Sequence, residues 1–147
     1  MSYRGKFHST NRKKYKGNPD NIIYRSLWER QVMKKLDENS NVIEWSSEEI
    51  VIPYRSPVDG KMHRYFPDFY VKTIKGDIFL IEVKPKQQTL PPKKTKSRNK
   101  YLREVKTWGI NQAKWEAAKL ICERHGWMWR IWTEREIKPH KYSKGHK

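Results

Sequence analysis

The stretch Met62-His63-Arg64-Tyr65-Phe66-Pro67-Asp68-Phe69-Tyr70-Val71, followed after Lys75-Gly76 by Asp77-Ile78-Phe79-Leu80-Ile81-Glu82-Val83-Lys84, decides the fold. Each half is an apolar or aromatic run of strand length, and the Lys-Gly step between them closes a tight turn, so the pair reads as an antiparallel hairpin. Asp68 lies near the start of one strand and Glu82 near the end of the other, which brings the two carboxylates face to face. Side chains alternate along a strand, so Glu82 and Lys84 leave one face while Ile81 and Val83 leave the opposite one.

Two hard oxygen donors at one point suit Mg²⁺ or Mn²⁺, with the backbone carbonyl of Val83 as a further ligand. Lys84 beside them can orient or help deprotonate a water. Phosphodiester hydrolysis uses such an arrangement, because the attacking hydroxide and the charge developing on phosphorus are both stabilised by a neighbouring cation. A lone Glu-x-Lys is more often an exposed charge pair on a hairpin; the facing Asp68 and the apolar flanks weigh against that here.

Tyr24, Trp28, Val32 and Leu36 recur every four residues with Leu27 beside them, which predicts an amphipathic helix over residues 21–37, capped by Asp20 or Asn21. Glu29 falls at the edge of its apolar stripe. Glu49-Ile50-Val51-Ile52-Pro53-Tyr54 reads as a strand ended by Pro53, with residues 55–60 as the turn into the hairpin. Gly109 marks a break, after which Ile110, Ala113, Ala117, Leu120 and Ile121 define a second helix to His125 with Gly126 as its stop. Residues 127–132 form a last strand. A helical connection between the last two strands makes their pairing parallel, so the expected fold is a single α/β domain of order α-β-β-β-α-β with a mixed four-stranded sheet.

Pro67-Asp68 followed by Glu82-Val83-Lys84 resembles the motif of the PD-(D/E)xK nuclease superfamily, which implies a restriction-endonuclease-like core. Tyr24-Arg25-Ser26-Leu27-Trp28-Glu29-Arg30 looks like the helix that contributes a further acid in that superfamily, and nominates Glu29 as a catalytic and metal-binding residue beside Asp68, Glu82 and Lys84. Gln112 and Lys114, early in the second helix, stand where members place a polar group near the attacked phosphate. Arg64-Tyr65-Phe66-Pro67-Asp68-Phe69 is similar to the endonuclease subunit of heteromeric transposases. Tyr3-Arg4-Gly5-Lys6, Tyr15-Lys16-Gly17-Asn18-Pro19 and the order of elements resemble the head completion nuclease family of large tailed phages. That last resemblance implies action on packaged DNA, portal or neck proteins as partners, and a setting in the host cytoplasm during assembly or in the virion.

Charge agrees with a polyanionic partner: 33 Lys and Arg against 16 acids give a formal net charge of +17 over 147 residues. No apolar run reaches the length of a spanning helix, so a membrane is not the expected partner. Cys122 is the single cysteine, which excludes an internal disulfide and a thiolate zinc site. Residues 1–20 read as a basic arm containing Arg12, Lys13 and Lys14, residues 21–137 as the nuclease domain, and residues 138–147 as a basic tail. Within the domain, 85–106 reads as a mobile basic loop, with Lys93, Lys94, Lys96, Arg98 and Lys100 set to hold DNA phosphates. Trp45 and Trp108, near loops, are expected to be available to a partner. A homodimer is expected if both DNA strands are cut. Two other readings of the same residues remain: a non-catalytic basic DNA-binding or head-capping protein with a vestigial nuclease fold, and a structure-selective junction-cleaving nuclease.

Overall fold

The computed structural model describes residues 4–137; the basic tail at 138–147 lies outside the described residues. In chain order the elements are β1 (Gly5–Lys6), a 3₁₀ turn (Arg12–Lys14), β2 (Ile23–Tyr24), α1 (Leu27–Glu38), β3 (Val42–Ser47), β4 (Ile52–Arg55) and β5 (Met62–Tyr65). They continue with β6 (Phe69–Thr73), β7 (Ile78–Val83), a second 3₁₀ turn (Lys86–Thr89), α2 (Arg98–His125), β8 (Met128–Trp132) and the single turn α3 (Glu134–Ile137). The main sheet runs β3-β6-β7-β8, with β7 and β8 parallel and the other neighbours antiparallel, the mixed four-stranded sheet expected.

Alternation along the strands divides the core in two. Phe69, Val71 and Ile81 face α1 and pack with Val32, Met33, Leu36 and Trp45. Tyr70 and Leu80 face the other way, against Trp115, Ala118 and Cys122 of α2. The sheet is therefore sandwiched between the two helices, and Asp68 and Glu82, in phase with Tyr70 and Leu80, belong to the α2 side.

Several boundaries differ from the sequence expectation. The strand expected over 62–71 is broken at Pro67, which has no N–H to give a ladder. Its first part, β5, pairs with β4 in a separate two-stranded hairpin, so 49–54 does not enter the main sheet. The third antiparallel strand is β3 instead. Helix α1 begins later than 21, because Ser26, not Asp20 or Asn21, caps it: its side chain accepts the Glu29 N–H at 3.1 Å.

Helix α2 is 28 residues long, about 42 Å at 1.5 Å per residue, and runs straight through Gly109. Ser97 caps it, accepting the Lys100 N–H at 3.3 Å. A glycine inside a helix costs only about 1 kcal/mol, too little to stop one that is well capped and packed. Residues 98–106 are thus helical, not part of a loop, and residues 102–107 of this projecting segment are exposed. The buried face of α2 is Asn111, Trp115, Ala118 and Cys122, and Leu120, expected inside, is exposed.

The N-terminal segment is tied to the body and is not a free arm. Asp37, 1% exposed, accepts Ser9 Oγ at 2.7 Å, the Thr10 N–H at 2.9 Å and the Asn11 N–H at 3.2 Å. Lys14 donates to the carbonyls of Asp37 and Asn39 at 2.8 Å each, and Arg12 pairs with Asp20 at 2.8 Å. Tyr15 is buried edge-on to Trp45 and forms a parallel bridge with it, and the Lys16 N–H donates to the Trp45 carbonyl at 2.8 Å. Trp45 is fully buried, contrary to the expectation of an available surface ring.

Candidate active site

The hairpin of β6 and β7 closes as expected. Gly76 takes a left-handed φ of 90° that a side chain would resist, and the Thr73 N–H donates to the Asp77 carbonyl at 2.9 Å. The register pairs Phe69 with Ile81, and carrying it one residue further sets Asp68 opposite Glu82. Asp68 Oδ2 accepts the Val83 N–H at 2.7 Å, which locks its carboxylate to the end of β7. It is this N–H of Val83 that the structure engages at the site.

Glu82 is buried. Its Oε1 accepts the Tyr65 hydroxyl at 2.5 Å, and its Oε2 lies 3.9 Å from Lys84 Nζ. Lys114, from α2, sits 5.5 Å from the centroid of the Tyr65 ring and 5.9 Å from that of Tyr54, and its charge acts on Glu82. Of the two support residues named on α2, Lys114 is therefore brought to the site. Gln112 is half-buried and makes no hydrogen bond with the site residues.

Glu29 enters from the first turn of α1. Its Oε1 accepts the Arg25 N–H at 3.1 Å, a relative of the capping box in which the acid reaches back past the cap. It also feels the negative charge of Glu48 and the positive charge of Lys84, and in turn acts on Asp68. Glu48 itself is held by an ion pair with Arg25, and its N–H donates to the Asp68 carbonyl at 3.1 Å from a left-handed backbone conformation of φ 54°.

All three carboxyls resist ionisation. Burial, then the negative charge of Glu82, pushes Asp68 well above the ordinary carboxylate range, against the pull of the Val83 N–H. Burial pushes Glu82 up too, partly offset by the Tyr65 hydroxyl, Lys84 and Lys114. Burial and the nearby Glu48 do the same to Glu29. Glu48 thus raises Glu29, and Glu29 and Glu82 raise Asp68, so a cation placed among them would favour their ionised forms.

Asp68 and Glu82 are the side chains that could hold a divalent ion. Asp68 and Glu82 offer oxygens from facing strands, and the charge they share is only partly offset by lysine. No three His, Cys, Asp or Glu side chains among the described residues form a ligand cluster by themselves. A donor set of two carboxylates completed by backbone and water is the kind that Mg²⁺ accepts. Glu29 then belongs to the electrostatic surroundings, coupled by charge to Asp68 and Lys84.

The residues proposed to hold DNA fall into two groups. Lys93, Lys94, Lys96, Arg98 and Lys100 are all exposed, the last two on the first turn of α2. Arg12 and Lys13 are both exposed, Arg12 paired with Asp20, whereas Lys14 is half-buried and donates to the carbonyls of Asp37 and Asn39. His63 pairs with Asp59 at 2.8 Å on the hairpin turn.

Sequence reasoning did not find Tyr65, Glu48 or Arg25. Tyr65 stands three residues before Asp68, but its turn toward Glu82 depends on the break at Pro67, which spacing alone does not reveal.

Comparison with known proteins agrees with this geometry. The model of the TnsA-like endonuclease N-terminal family matches residues 39–134, a span that holds Asp68, Glu82, Lys84 and Lys114 and leaves Glu29 outside. The head completion nuclease of Enterobacteria phage T4 is 42% identical over 139 residues, covering 91% of this chain and 93% of that protein. With the facing acids, the adjoining lysine and the mixed sheet all in place, the chain belongs to the TnsA-like endonuclease N-terminal family and is a nuclease homologous to that phage protein.

Proposed function

We propose that the chain is an endonuclease that hydrolyses DNA phosphodiesters with Mg²⁺ or Mn²⁺, acting in phage head completion after DNA is packaged. The observation that carries the metal dependence is the pairing of Asp68 with Glu82 across the end of β6 and β7, with Lys84 3.9 Å from Glu82 Oε2. Asp68 and Glu82 would hold the ion, which supplies Lewis acidity and a more acidic water when bound. Lys84 carries a fixed positive charge to the point where negative charge grows on the phosphate as water adds and the ester oxygen leaves. Glu29, with Oε1 committed to the Arg25 N–H, keeps α1's end of the site acidic and can accept a proton from water.

DNA is the polyanion that a net charge of +17 favours. The exposed residues from Lys93 to Lys100 follow the catalytic strand directly, so the backbone they hold lies near the bond to be cut. Portal or neck proteins, the assembling head in the host cytoplasm, and a homodimer for cutting both strands are parts of the same proposal, supported by the likeness to the phage protein. The full set of Asp68, Glu82 and Lys84 counts against a vestigial site.

The test is cleavage of duplex DNA by the purified chain with Mg²⁺, with Mn²⁺ and with EDTA. Cutting in the first two and none in the third is expected. Equal cutting in EDTA would remove the metal from the proposal.

A further inference from the structure

We infer that Tyr65 is the positioning residue of Glu82: its hydroxyl holds Oε1 at 2.5 Å and so leaves Oε2 as the one oxygen Glu82 can offer to a divalent ion. The inference rests on the nuclease reading of the site. Its grounds are geometric. Tyr65 ends β5, in the hairpin outside the main sheet, and is 4% exposed. Its ring is held from two sides, edge-on to Trp129 at 6.5 Å between centroids and beneath Lys114 at 5.5 Å. A phenol fixed this firmly cannot follow the carboxylate, so the carboxylate must adapt to the phenol.

The two oxygens of Glu82 thereby take different duties. Oε1 is tied to the hairpin, and Oε2 faces Lys84. A carboxylate restricted to one free oxygen suits a small octahedral ion that keeps most of its waters, whereas a free carboxylate can rotate to bind through both. Hydrogen bonds of this kind, from outside the ligand set to a ligand, are typically worth about 10- to 100-fold in metal affinity or activity.

The experiment is a calorimetric titration of Mn²⁺ onto the full chain without DNA, for the wild type and Tyr65→Phe, with the Mn²⁺ dependence of cleavage measured beside it. Tyr65→Phe keeps the ring between Trp129 and Lys114 and deletes only the donor. Mn²⁺ affinity is expected to fall by about tenfold or more, with the Mn²⁺ midpoint of cleavage rising in step and the rate at saturating metal falling much less. A folded Tyr65→Phe protein with unchanged affinity and midpoint overturns the inference. A second measurement needs no variant: the phenolic proton correlated with the Tyr65 ring should shift in the proton spectrum of the wild type when Mg²⁺ is added, and a signal that stays in place overturns it equally. Wild type that neither binds Mn²⁺ nor cuts DNA would remove the nuclease reading and this inference with it. Wild type that does both, with Tyr65→Phe unaffected, would remove only the role of Tyr65.

Discussion

The N–H of Val83 donates to Asp68 Oδ2 at 2.7 Å, so the carboxylate of one strand is fastened to the backbone of the other immediately after Glu82. The two acids therefore keep their spacing whenever the hairpin is intact.

Asp68→Ala and Glu82→Ala should each abolish cleavage while DNA binding holds or strengthens, because deleting an acid lowers local negative charge as it removes a metal donor. Parallel cleavage and binding assays check this. Wild-type turnover in both variants would show that the site lies elsewhere.

Lys84→Ala should reduce turnover by about 10²-fold or more while Mn²⁺ still binds, since Lys84 supplies charge and not a ligand. Glu29→Gln should be milder than either sheet acid, because its capping oxygen is retained and only its charge is lost. Single-turnover rates with metal affinities measured alongside separate the two cases. A Glu29→Gln loss as deep as that of Asp68→Ala would place Glu29 among the ligands.

Neutralising Lys93, Lys94, Lys96, Arg98 and Lys100 to Gln should weaken binding across DNA sequences and flatten the dependence of log affinity on log salt, by roughly one unit for each phosphate the segment no longer neutralises. Cleavage at saturating DNA should survive. Arg98 and Lys100 lie at the positive end of α2's dipole, where cations are unfavourable, so their removal should leave helicity intact or slightly raised. Binding isotherms at several salt concentrations, with circular dichroism, decide it; an unchanged slope would confine this segment to a structural role.

Asp37 makes a prediction about stability. Hydrogen bonds from Ser9, Thr10, Asn11 and Trp45 hold its carboxyl below the ordinary range despite burial, which opposes them. A depressed folded pKa means that the stabilisation is complete above the unfolded value, about 3.9, and is lost as pH falls through the folded value. Asp37→Ala should cost about 3 kcal/mol at neutral pH by stranding several donors, and the gap from wild type should close in acid. Urea melts across pH test both parts; a gap independent of pH would show that packing, not charge, is what Asp37 contributes.

The three sheet residues of the site were legible in the sequence because strand alternation and one tight turn are local rules. Asp68, Glu82 and Lys84 needed nothing else to meet. Strand β3 was not legible, since a register shift between Val42 and Glu44 breaks the alternation that would have announced it. The β-branched run Ile50-Val51-Ile52 looked more like a sheet strand than β3 does, yet β4 pairs only with β5. The start of α2 was hidden by its own charge: a lysine-rich stretch ahead of a glycine reads as loop, and only the Ser97 cap and continuity with the packed half make it helix. Tyr65 was invisible because its role depends on Pro67 diverting the chain between two sheets.

The bridge from Tyr15 to Trp45 bears on the rim of the main sheet. β3 is an outer strand of the main sheet, and such a rim invites the strand of another molecule to add on. Here the chain's own leading segment fills part of that place, with the Lys16 N–H on the Trp45 carbonyl and the Ser47 N–H on the Tyr15 hydroxyl at 3.1 Å. The segment first read as an arm for DNA thus covers part of that strand edge, and trimming the chain past Gly17 would leave the edge of β3 open.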